Sequence, residues 1–250
     1  MPTEKIALIT GSSRGIGAAT ATLLASQGYA VCINYQANEQ AALQLQAEIT
    51  TMGAKAIAVQ ADVSQEADVV RLFQTVDAQL GRVTALVNNA GILATQMRVE
   101  DMDAARINKI LATNVTAYFL CSREAIKRMS SRHGGQGGAI VNVSSAASRI
   151  GSPGEYVDYA ASKGAIDTLT TGLALELAAE GIRVNCVRPG IIYTDIHASG
   201  GEPGRVDRVK QNIPMQRGGL PQEVAQAIAW LLSEGASYST GTFIDVSGGR

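Results

Sequence analysis

Tyr159 and Lys163 stand four residues apart in the run Tyr159-Ala-Ala-Ser-Lys163. On a helix that spacing puts a phenol and an ammonium on one face. A tyrosine in water keeps its proton to about pH 10. A fixed positive charge nearby stabilises the phenolate and lowers that value, which makes the hydroxyl a proton donor and acceptor near neutral pH. The pattern also occurs by chance on solvated helix faces, so its meaning depends on the rest of the chain. Tyr156 is a rival phenol, but Ala160 stands where its lysine would be needed.

A second chemical signal lies near the start. Thr10-Gly11-Ser12-Ser13-Arg14-Gly15-Ile16-Gly17 spaces its glycines as G-x-x-x-G-x-G. Between a strand and a helix, Gly11 permits the tight turn, Gly15 lets the backbone approach a pyrophosphate, and Gly17 lets the helix pack close to the sheet. The anion then meets the unpaired N–H groups at the start of that helix. The second strand ends Ile33-Asn34-Tyr35-Gln36, without the carboxylate that holds the ribose hydroxyls of NAD. Arg14 stands in the loop that faces a 2′-phosphate, and a guanidinium holds phosphate bidentately. The residues therefore predict NADP(H) over NAD(H).

The elements that must position these groups follow from periodicity. Short apolar runs at 6–10, 30–35, 56–60, 85–88, 139–144, 183–188 and 243–246 suit strands covered on both faces. Helical spacing fills 16–27, 40–52, 66–80, 107–131, 156–180 and 221–232. Gly28, Gly53, Gly81 and Gly181 lie just beyond helical stretches, where a left-handed cap is wanted. The alternation predicts an α/β fold: a doubly wound, Rossmann-type parallel sheet of seven strands with helices on both faces and ligands at the carboxyl ends of the strands.

Bulk properties bound the partners. Of 250 residues, 46% are hydrophobic and 17% charged, without a linker or charge run, so a single domain over 1–250 is expected. A net charge of −1 gives no electrostatic case for nucleic acid or an anionic membrane. Cys32, Cys121 and Cys186 sit apart in apolar runs and read as buried thiols. With His133 and His197 as the two histidines, no metal site is expected. The N-terminal stretch reads as neither signal peptide nor membrane span, so a cytoplasmic location is expected.

Taken in order, the glycine turn, Asp62-Val63, Asn88-Asn89-Ala90-Gly91, Asn114, Ser144-Ser145, Tyr159 with Lys163, and Pro189-Gly190-Ile191-Ile192-Tyr193-Thr194 resemble the short-chain dehydrogenase/reductase family, in its compact single-domain form. The resemblance runs from Thr10 to Gly249. It implies that Gly11, Ser13, Arg14, Gly15 and Ile16 line the cofactor phosphates. Asn34 and Tyr35 would flank the adenosine end, Asp62 would hold the adenine amino group, and Val63 would pack beside the ring. Asp62 has an alternative as a residue of the next helix's entry, with Ser64 and Glu66. Asn89, Ala90 and Gly91 would pass along the adenosine ribose, and Ile192 and Thr194 would contact the carboxamide.

The resemblance also implies catalytic roles. Tyr159 would be the acid/base and Lys163 would lower its pKa and hold the nicotinamide ribose. Ser145 would bond the substrate oxygen, with Ser144 one residue away as the alternative. Asn114 would hold a water linking Lys163 to solvent. The hydride would come from the cofactor.

The substrate end is less legible. Residues 195–213 are rich in glycine and polar residues and are expected to form a lid, with His197 an exposed loop histidine. Two substrate classes stand: a small carbonyl or secondary alcohol, or the acyl-carrier-bound substrate of a 3-oxoacyl-acyl-carrier-protein reductase. Arg128 and Arg132 are candidate carrier contacts near the mouth, whereas Glu180 replaces a residue that is often basic in carrier-using relatives. A cofactor-binding regulatory protein without turnover is a third reading. The helices at 107–131 and 156–180 carry apolar residues beyond one stripe, and the family likeness implies a homotetramer.

Overall fold

The computed structural model describes residues 5–250. Seven strands, β1 (Ile6–Ile9), β2 (Ala30–Tyr35), β3 (Ala56–Gln60), β4 (Ala85–Asn88), β5 (Gly138–Val143), β6 (Ile182–Pro189) and β7 (Phe243–Val246), form one parallel sheet in the order β3-β2-β1-β4-β5-β6-β7. The order reverses between β1 and β4, so a crevice opens there beyond the carboxyl ends of the strands.

Near-continuous burial of the strands has a simple cause: helices cover both faces. On one side pack α1 (Gly15–Ser26), α2 (Glu39–Thr51) and α10 (Pro221–Leu232), through Leu24, Leu45, Ile49 and Ile228. On the other pack α3 (Glu66–Gln79), α5 (Ala117–Met129) and α7 (Val157–Leu177), through Leu72, Phe73, Cys121 and Leu177. Within β1, Ala7 and Ile9 belong to the first core while Ile6 and Leu8 belong to the second, the alternation a strand imposes.

The helix expected over 107–131 differs in detail. Asp103 caps an earlier start by accepting from Arg106 N at 2.7 Å, which gives α4 (Ala104–Leu111). A π-helical segment, Ala112–Thr116, then joins α4 to α5. The last turn of the expected 156–180 helix tightens into a 3₁₀ turn, Ala178–Glu180, that ends on left-handed Gly181. Three short helices fill stretches that carry no periodic signal: α6 (Ala147–Ile150), α8 (Ile196–Ser199) and α9 (Arg205–Val209). Among the described residues no helix is long and apolar enough to cross a membrane.

Candidate active site

A cavity of about 840 Å³ runs along the carboxyl ends of the strands, from the glycine turn to the segment after β6. Its size suits an extended ligand. The turn is built around two left-handed glycines, Gly11 at φ 60° and Gly15 at φ 58°. A Cβ on Gly11 would stand 3.0 Å from Ala90 Cα, and one on Gly15 would stand 3.4 Å from Thr194 Cγ2. The first turn of α1 holds no acid, and its start has no side-chain cap. Its leading N–H groups therefore remain available to an anion, and these residues fit a dinucleotide pyrophosphate.

Ser13, Arg14 and Ile16 line this end with the two glycines. Asn34 and Tyr35 also line it, but Asn34 acts as a brace: its Oδ1 accepts from Gly11 N (3.1 Å) and its amide donates to Ala61 O (3.1 Å). Tyr35 Oη donates to Glu39. Asp62 and Val63 stand on the wall, and Asp62 also orders the entry to α3 by accepting from Ser64 N and Oγ. Its second oxygen accepts from Gln36 Nε2 at 2.8 Å. Asn89, Ala90 and Gly91 continue the wall, with the Asn89 amide spent on the carbonyls of Thr10 and Gly11. The Arg14 guanidinium lies 3.5 Å from Ser199 Oγ of α8.

At the other end Ser145, Tyr159, Lys163, Ile192 and Thr194 share the wall. Ser145 and Ser144 separate cleanly. Ser144 Oγ donates to the carbonyl of Lys163 (3.0 Å) and is buried, whereas Ser145 Oγ accepts from Ala147 N (3.1 Å) and lines the cavity with Tyr159. Lys163 is 3% exposed; its Nζ donates to Val143 O (2.8 Å) and to Tyr118 Oη (3.2 Å), and lies 5.7 Å from the centre of the Tyr159 ring.

The expectation that Lys163 makes Tyr159 acidic is not met, because desolvation dominates at the phenol. Burial pushes the Tyr159 phenol up to about 12, with the Ser145 hydroxyl pulling the other way. Burial also drives Lys163 down to about 8, opposed by Cys186 and Asp167. The physical reason is that Lys163 spends its contacts on Tyr118 and Val143 O while both titrating groups are desolvated.

Asn114 ties the loop after β4 to α7. It is buried in the π-helical segment, where its Nδ2 donates to Ile92 O and Ser162 Oγ and its Oδ1 accepts from Ile92 N. Both side-chain N–H bonds are thus engaged with protein. Gly91 keeps the gap beside it narrow: a Cβ there would stand 3.5 Å from Lys163 Nζ and 3.6 Å from Asn114 Oδ1.

The segment after β6 holds features that sequence reasoning missed. His197 is buried at 7% exposure rather than exposed, because α8 folds back over the end of β6 and brings Nε2 to 2.9 Å from Ile192 O. Burial lowers its pKa. Arg205 stands over the Tyr156 ring, 4.8 Å from its centre, and pairs with Glu155 and Glu202. Arg208 also pairs with both acids. These pairs tie the segment to the loop before α7; the clue in sequence was the lone Glu155 opposite two arginines, whose pairing no local rule supplies. Arg128 and Arg132 are not at the mouth. They bond Asp77, Glu124 and Glu180 at the rim where β5 and β6 begin, opposite the cavity. Among the described residues no cluster of His, Cys, Asp or Glu could hold a metal.

The family profile described as Enoyl-(Acyl carrier protein) reductase matches residues 11–250. A solved short chain dehydrogenase from Burkholderia cenocepacia, in complex with NADP, superposes with a TM-score of 0.89 at 35% identity, over 98% of this chain and 97% of that one. The chain belongs to the short-chain dehydrogenase/reductase family. It is 68% identical over 245 residues to the uncharacterized oxidoreductase YgfF of Escherichia coli, covering 98% of this chain and 99% of the relative. It is 40% identical to a 3-oxoacyl-[acyl-carrier-protein] reductase of Synechocystis, over 99% of this chain and 97% of that protein. As a member of this family the protein is an oxidoreductase, and the family binds a nicotinamide cofactor.

Proposed function

We propose that this chain is an NADP(H)-dependent oxidoreductase, acting as one domain, that interconverts a small carbonyl compound and its secondary alcohol with Tyr159 as acid/base. One observation carries the reading: Ser145, Tyr159 and Lys163 share a cavity with a glycine turn fit for pyrophosphate. The nicotinamide, when bound, supplies or accepts the hydride at the carbonyl carbon. Gly11, Ser13, Arg14, Gly15 and Ile16 hold its phosphates; Asn34, Tyr35, Asp62, Val63, Asn89, Ala90 and Gly91 frame the adenosine half. Ile192 and Thr194 meet the carboxamide, and Lys163 meets the ribose. Ser145 orients the substrate oxygen and Tyr159 gives it a proton in reduction or takes one in oxidation. Asn114 holds the loop after β4 against α7, which keeps Lys163 beside Gly91.

The preference for NADP(H) is supported by the absence of a carboxylate at the end of β2 and by Arg14 on the wall. The test is NADPH oxidation against a panel of small ketones, aldehydes and sugars. Consumption that disappears in Tyr159→Phe is expected; binding of NADPH without turnover on any member would refute the enzyme reading.

A second reading, reduction of a 3-oxoacyl group on a carrier protein, is favoured by the Synechocystis relative. Against it, Arg128 and Arg132 are ion-paired at the far rim, with Glu180 among their partners. An acidic carrier needs free basic surface near the mouth. Comparing a free acyl thioester with its carrier-bound form separates the two readings.

The chain is proposed to assemble as a homotetramer. Leu111, Phe119 and Leu175 are exposed on α4, α5 and α7, and Leu175 reaches 81% exposure. Such side chains gain about 1.5–3 kcal/mol each when covered. Light scattering should return four copies.

A further inference from the structure

Tyr118, on α5, is 1% exposed and packs among Ile166, Leu169 and Leu173. A phenylalanine would fill that apolar place equally well, so its hydroxyl calls for a reason. The hydroxyl donates to Val143 O at 2.9 Å, the same carbonyl that accepts from Lys163 Nζ at 2.8 Å, and Lys163 Nζ also donates to Tyr118 Oη at 3.2 Å. Three polar groups thus close a triangle inside an apolar setting. The ammonium also lies 5.1 Å from the Tyr118 ring centre and 5.7 Å from that of Tyr159, between two aromatic faces.

A buried ammonium is costly unless its donors are met. Lys163 has three N–H bonds, of which Val143 O and Tyr118 Oη take two, leaving one for the cavity. The other groups that face it offer little. From β6 comes Cys186, a thiol held protonated by burial. From α7 come Tyr159 and Asp167, and Asp167 is committed to Arg188 at 2.9 Å. From the π-helical segment comes Asn114, already bonded to Ile92 and Ser162. Tyr118 itself is kept neutral by burial, so it serves as an anchor and not as a base.

We propose that Tyr118 is a positioning residue: its hydroxyl and ring hold the Lys163 ammonium charged and aimed into the cavity beside Tyr159. The part that concerns turnover rests on the function proposed above; the anchoring itself does not. Without the hydroxyl, Lys163 keeps one protein acceptor, so its charged form loses ground and it deprotonates at lower pH. Reduction requires Lys163 charged and Tyr159 protonated. The alkaline fall of the reduction profile must then move to lower pH.

The experiment compares wild type with Tyr118→Phe as full-length protein. Lysines are labelled with ¹³C at Cε, the Lys163 signal is assigned by its absence in Lys163→Arg, and its titration is followed without cofactor. The expected result is a midpoint about one pH unit lower in Tyr118→Phe, the scale of one hydrogen bond to a charged group. The alkaline limb of NADPH-dependent carbonyl reduction shifts the same way, with kcat reduced more than KM for the carbonyl changes. A purely structural role would lower the unfolding temperature and leave both pH midpoints in place. Should Tyr118→Phe not fold, 3-fluorotyrosine at position 118 keeps shape and hydroxyl while weakening the acceptor, and a smaller shift of the same sign is expected. An unmoved Lys163 midpoint in a folded variant would overturn the proposal. A moved midpoint in a protein that reduces no carbonyl would instead overturn the function proposed above and leave the anchor standing.

Discussion

Arg106 of α4 and Asp158 of α7 form a buried ion pair, Nε to Oδ2 at 2.8 Å, with side chains 11% and 4% exposed. The other oxygen of Asp158 accepts from the backbone N–H of Tyr159 at 2.9 Å, and Arg106 also donates to Thr95 O at 2.6 Å. The pair therefore ties the residue proposed as acid/base to the loop after β4. Removing one partner of a buried pair leaves the other charge uncompensated. Arg106→Ala should cost about 3 kcal/mol of stability by chemical denaturation. It should also lower kcat, because Tyr159 loses its brace; unchanged values of both would show that the pair is incidental.

Tyr159→Phe removes the phenolic hydroxyl and keeps the ring. Turnover should fall by about a hundred- to ten-thousand-fold, the usual weight of a general acid or base. Cofactor affinity, read by quenching of Trp230 or by calorimetry, should stay within a few-fold of wild type.

The pH dependence follows from the two titrating side chains. Tyr159, pushed up to about 12, keeps its proton throughout the working range. Lys163, depressed to about 8, is charged below that value and neutral above it. Since kcat/KM reports the free protein, reduction should hold level through neutrality and decline as pH rises through about 8. A rate still climbing at pH 9 would contradict this ordering.

Arg14→Ala separates the two cofactors. If the guanidinium holds the 2′-phosphate, kcat/KM with NADPH should drop about ten-fold or more while the value with NADH is preserved. Equal losses with both would assign Arg14 to its contact with Ser199 instead.

Gly17 has no room for a side chain. A Cβ there would lie 2.7 Å from both Asn89 Nδ2 and Ser12 Cα, and the second atom is backbone. Gly17→Ala should destabilise by about 1–3 kcal/mol, as overpacking does, and weaken cofactor binding because Asn89 clamps the same turn. Thermal unfolding with and without NADPH reads both effects.

Local rules sufficed for the sheet and for the glycine turn at its rim. Continuous apolar runs such as 30–35 admit few alternatives to a doubly covered strand, and Gly11, Gly15 and Gly17 mark a turn that short-range sterics dictate. Local order also brought Tyr159 and Lys163 within four residues, so one helix sufficed to place them together. Tertiary structure decided what those groups meet. Tyr118 is distant in sequence from Lys163, yet α5 and α7 press their hydroxyl and ammonium together. His197, in a polar stretch with every sign of exposure, is buried because α8 returns to β6, and Arg128 and Arg132 end on the rim away from the cavity because α5 runs back toward the start of β5. Periodicity reports which face of a segment is apolar. It does not report which distant side chains share its dielectric, and desolvation and long-range partners set the charge states on which the proposed chemistry depends.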